Sequence, residues 1–63
     1  MSKFEKLEAR AQELASKAKA LFKRAEQLEA RHAGASVVRE AFRKAAAADA
    51  AAARAFRDLI KAL

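Results

Sequence analysis

Leu28-Glu29-Ala30-Arg31-His32-Ala33-Gly34-Ala35-Ser36-Val37-Val38 is where this chain either bends or runs straight on. Strong helix formers flank it on both sides, there is no proline, and Gly34 is the sole glycine. Arg31 and His32 suit the last turn of a helix, where positive charge complements the helix dipole. Gly34 follows where a left-handed C-cap residue is wanted, and Ser36 suits the N-cap of a second helix. The expected organisation is a single domain, residues 1–63, with helix 1 over about 3–32, a turn at 33–36 and helix 2 over about 37–63. The competing form is one continuous helix of ~90 Å, since glycine in mid-helix costs only ~1 kcal/mol relative to alanine. That rod would bury His32 and Arg39 at successive seam positions with only Ala35 between them, so the hairpin is preferred.

A seven-residue repeat extends outward in both directions. With Phe4 as position a, the a series is Phe4, Ala11, Ala18, Ala25, His32, Arg39, Ala46, Ala53, Ile60. The d series is Leu7, Leu14, Leu21, Leu28, Ala35, Phe42, Asp49, Phe56, Leu63. Sustained apolar a and d positions mark helices packed along a narrow seam. Folding at Ala33-Gly34 opposes Leu14 to Ala53, Ala18 to Asp49, Leu21 to Ala46 and Ala25 to Phe42, small against large. Ser2 and Glu5 form the Ser-x-x-Glu capping box of helix 1. Glu13 with Lys17 and Glu40 with Lys44 have the spacing of supporting i,i+4 pairs.

Twenty of the 63 residues are alanine, which buries little apolar surface, and a chain this short forms a marginal core alone. No cysteine is present to staple it. Self-association is the remaining source of stability, so the fold class expected is all-α: an antiparallel two-helix hairpin that dimerises into a four-helix bundle. Charges at Lys3, Glu5, Lys6 and Glu8 argue against a signal peptide. No apolar run approaches the ~20 residues of a membrane span. A cytoplasmic protein without a membrane span is expected.

Fourteen Lys and Arg against eight Asp and Glu leave a net charge of +6, which favours polyanionic partners. Lys3, Arg10, Lys17, Arg24 and Arg31 fill every g position of helix 1 and stack into a straight ridge beside the seam. The neighbouring e series, Glu8, Ala15, Phe22 and Glu29, supplies only two carboxylates to neutralise it. Copies of this ridge in a bundle would make a positive stripe able to follow phosphates, although g positions are often charged simply to solvate a bundle flank. A second basic set, Arg39, Arg43, Arg54, Arg57 and Lys61, reads as an outward, solvated face. Phe22, beside Lys19 and Lys23, reads as a widening of the apolar stripe rather than a base-stacking platform. Asp49, a carboxylate at a d position between alanines, is expected to fix dimer register and orientation.

The single histidine, His32, has no metal-ligating company and reads as a C-terminal cap residue. The only hydroxyls are Ser2, Ser16 and Ser36, so no nucleophile constellation is available. No enzyme, cofactor or metal is expected.

The opening Met1-Ser2-Lys3-Phe4-Glu5-Lys6, the length, the central bend and the alternating alanine and leucine layers together resemble the repressor-of-primer family of helical hairpins. That resemblance implies a dimeric antiparallel four-helix bundle that binds RNA loops through its paired first helices. Lys3 is the binding position that carries over. Leu14, Ala18 and Ala25 are seam residues here, so the polar and aromatic part of that family's binding face is not reproduced. The function expected is a small non-catalytic accessory protein that dimerises and binds nucleic acid, plausibly structured RNA, through Lys3, Arg10, Lys17, Arg24 and Arg31. The alternative is a protein-interaction module that contacts another helical protein and has no nucleic-acid role.

Overall fold

The computed structural model describes residues 2–63; Met1 of the opening hexapeptide lies outside them. Two helices, α1 (Lys3–Ala30) and α2 (Ala35–Lys61), pack against each other as a hairpin measuring 45 × 16 × 10 Å. No described helix is long and apolar enough to cross a membrane.

The start of α1 forms the Ser2 half of the expected capping box, without the return bond to the Glu5 carboxylate. Ser2 has extended backbone, and its Oγ accepts a hydrogen bond from the Glu5 N–H at 3.2 Å. One of the four N–H groups left free at a helix start is thereby satisfied. The end of α1 differs from expectation. His32, not Gly34, adopts the left-handed conformation, with φ 59°. The His32 N–H donates to the Glu29 carbonyl and the Ala33 N–H to the Leu28 carbonyl, both at 3.0 Å. This is the Schellman pair of reverse bonds. Histidine tolerates this region better than most non-glycine residues, and the two bonds offset its strain.

With the helix closed at His32, Gly34 has φ −50° and ψ 145°, a conformation open to any residue, and serves as the N-cap of α2. It carries no side chain to cap with. Ser36 therefore lies inside α2 and is not its cap, and the turn comes two residues earlier than expected.

The seam of α1 follows its repeat: Ala11, Ala18 and Ala25 are buried, and Leu7, Leu14, Leu21 and Leu28 are half-buried. In α2 the frame is displaced by one residue. Its inward stripe is Val38, Ala41, Ala45, Ala48, Ala52, Ala55 and Leu59, while Arg39, Ala46, Asp49, Ala53 and Ile60 are exposed. The expected opposition of Leu14 to Ala53 and Leu21 to Ala46 is replaced. Leu14 shares a groove with Ala51 and Ala55, and Leu21 shares one with Ala41 and Lys44. The physical reason is desolvation. Carrying the α1 frame through the turn would bury Arg39 and Asp49 without partners, at several kcal/mol each (~2–7 even for a neutral polar group), whereas a one-residue rotation returns both to water. The result is a core of alanine alone, Ala11, Ala18, Ala25, Ala45 and Ala52, with no large side chain fully buried.

Candidate nucleic-acid interface

All five ridge residues, Lys3, Arg10, Lys17, Arg24 and Arg31, are exposed. Seven-residue spacing sets four of them in one file along α1 with Arg31 at its C-cap, about 42 Å in all at ~1.5 Å per residue. The file lies on the side where α1 and α2 form two open grooves. One, of about 500 Å³, has Leu21 and Leu28 among its lining, with Arg24 and Lys44 from opposite helices. The other, of about 250 Å³, brings Arg10 and Arg54 together around Leu14 and Ala51. The hairpin thus adds Lys44 and Arg54 of α2 to the ridge side of α1, together with the Glu40 and Asp58 carboxylates that line the same two grooves.

The charges of α1 are segregated. On a heptad wheel the g and c positions share one flank and the e and b positions the other. Glu5, Glu8, Glu26 and Glu29 fall on the e/b flank, and only Glu13 falls on the ridge side. Among the described residues the one ion pair is Arg43 with Glu40, in which Arg43 Nη2 and Nε reach the two carboxylate oxygens at 2.8 and 3.0 Å. Glu40 therefore pairs with Arg43 rather than Lys44, and the expected Glu13–Lys17 bridge is not formed. The Arg43 hydrogen bond, aided by the Arg43 and Lys44 charges, holds the Glu40 carboxyl below the ordinary glutamate value. None of the five ridge cations is neutralised by a bridge.

The remaining candidates distribute differently. Of the second basic set, Arg39, Arg43, Arg54, Arg57 and Lys61 are all exposed, but Arg54 turns to the ridge side and Arg43 is occupied by Glu40. Asp49 does not oppose Ala18. It is exposed on the flank away from the ridge, one heptad from both Phe42 and Phe56. Phe22 is half-buried, and its ring lies against Phe42. Among the described residues no cluster of three metal-ligating side chains occurs.

Sequence reasoning missed Lys44 and Arg54 because it carried the α1 frame into α2. A search for the α2 phase that leaves both Arg39 and Asp49 in water would have found them.

The chain matches no family model, and no curated protein or solved structure is similar enough to indicate kinship. The structure is a two-helix hairpin, and no match supports the repressor-of-primer family itself.

Proposed function

We propose that this chain is a small, non-catalytic cytoplasmic protein that works as a homodimeric four-helix bundle and binds structured RNA through the α1 ridge. The observation that carries this is the file of five cations, none held by a carboxylate among the described residues, with Lys44 and Arg54 added from α2. Cations free of partners release the counterions of a nucleic acid when they meet its phosphates, and that release supplies sequence-independent affinity. The grooves offer no row of aromatic or amide side chains to read base edges, so recognition is of backbone and shape. The dimer is supported by the alanine-only core: no large side chain is fully buried in a single copy, which leaves so short a chain marginal alone.

Fluorescence titration of a structured RNA and a duplex DNA at increasing salt tests the proposal. Affinity is expected to fall steeply with salt and to be greater for RNA. Absence of binding to either at ~50 mM salt would sink it. The alternative of a protein-interaction module would then stand ahead, on the strength of Phe56 and Ile60, which lie exposed on the opposite flank.

A further inference from the structure

We infer that this chain pairs with a second copy of itself through the flank opposite the ridge, with both turns at the same end of the bundle. This rests on the dimer proposed above and adds its face and its direction.

The face follows from charge and burial. Pairing through the ridge flank would bury five cations against five more. The other flank carries Phe56 and Ile60, 39% and 66% exposed, beside the half-buried Phe22 and Phe42, whereas the ridge side leaves Val37 exposed at 51%. A hairpin face of 45 × 16 Å offers about 700 Å² per copy, close to the ~800 Å² per partner of a stable interface. With this flank sealed, the ridges of the two copies point away from each other and do not merge into one stripe.

The direction follows from heights along the rod. Leu14 shares a groove with Ala51, Leu21 with Lys44 and Leu28 with Val37, so residues whose numbers sum to about 65 lie at one level. A two-fold axis parallel to the helices keeps every residue at its own level and sets α1 against the α2 of the second copy. Glu26 then meets the partner's Arg39, and Lys19 lies within one turn of the partner's Asp49. Glu26, Lys19, Arg39 and Asp49 all belong to this flank and are all exposed in the single hairpin. A two-fold axis perpendicular to the helices inverts the levels. It brings Glu26 near the partner's Glu8 and Glu29 near the partner's Glu5, like charge on like. Juxtaposed like charges select against a wrong pairing, so the parallel axis is the one this sequence specifies. Asp49 then acts on register and direction through the partner's Lys19.

Spin labels on Gly34→Cys test this directly, because φ there is negative and an added Cβ meets nothing within 4 Å. With turns together, helix spacings of ~8–10 Å put the two labels within about 25 Å. With turns apart they are separated by about the 45 Å length of the hairpin. Sedimentation of the same sample reports the oligomeric state separately. A monomer would remove the dimer itself, whereas a dimer with the long distance would overturn only the direction. Glu26→Lys and Arg39→Glu should each weaken dimerisation about tenfold, and the double variant should recover most of the loss. Additive losses without recovery would contradict the pairing. RNA titration of the same variants keeps the ridge proposal independent of this result.

Discussion

Phe22 of α1 and Phe42 of α2 meet with ring centroids 6.4 Å apart and planes inclined at 52°, within the range of favourable tilted aromatic pairs. They stand at the edge of the alanine seam, on the flank away from the ridge. This contact joins the helices through large side chains where the core itself has none. Phe22→Ala should lower stability by about 2 kcal/mol, less than for a fully buried phenylalanine because the ring is half-exposed. A double-mutant cycle with Phe42→Ala should return a coupling of about 0.5–1.5 kcal/mol. Urea melts at one fixed protein concentration check both, since dimerisation makes apparent stability depend on concentration.

The one-residue displacement of the α2 frame is open to a simple contrast. Ala45 is 0% and Ala52 3% exposed, and leucine at either should force the helices apart at about 1–3 kcal/mol. Ala46 and Ala53, the seam positions of an undisplaced frame, are exposed. Leucine there should leave the packing of α1 on α2 intact and cost less than at Ala45 or Ala52, whatever it does on the flank facing the second copy. Thermal melts of the four single variants would show the reverse order if the α1 frame continued through the turn.

At the turn, two opposite substitutions carry the same expected sign. His32→Gly should stabilise by about 0.5–1 kcal/mol, because glycine occupies the left-handed C′ position without a Cβ penalty. Gly34→Ser should also stabilise by about 0.5–1 kcal/mol. It restricts the unfolded chain and supplies the missing N-cap acceptor for α2. If Gly34 needed its glycine freedom, any side chain there would lower the melting temperature.

How far the sequence reveals this protein can be judged residue by residue. The cap at Ser2, the α1 stripe of Ala11, Ala18 and Ala25, and the presence of a bend beside Gly34, though not its bounds, all follow from local chemistry that acts over three or four residues. The phase of α2 does not, because a turn transmits no helical phase. It was decided by where Arg39 and Asp49 could reach water. Which residue would take the left-handed position was equally hidden. His32 closes the Schellman bonds first, and only the hydrogen-bond pattern reveals it. For the candidate site, the ridge on α1 was legible from spacing, but its continuation through Lys44 and Arg54 depended on the displaced frame.

Glu40 gives the pH dependence a sign. Its carboxyl is held below the ordinary 4.5 chiefly by the hydrogen bond from Arg43. A lowered folded value means stability that is present above the unfolded value and lost as pH falls through the folded one. The melting-temperature difference between the wild type and Glu40→Gln should therefore be present at neutral pH and vanish in acid below that lowered value. A difference that persists or grows in acid would assign the effect to something other than the Arg43 pair.

The central claim is that the file of cations on α1 is what meets phosphate. The most direct measurement is the salt slope of RNA binding for Arg10→Gln/Lys17→Gln/Arg24→Gln beside that of a control with equal charge loss, Lys23→Gln/Arg43→Gln/Arg57→Gln. The account expects the ridge variant to bind far more weakly, with a slope shallower by about 2–3, and the control to stay close to wild type. Equal losses in the two variants would mean that net charge alone does the binding and that the ridge has no special part in it.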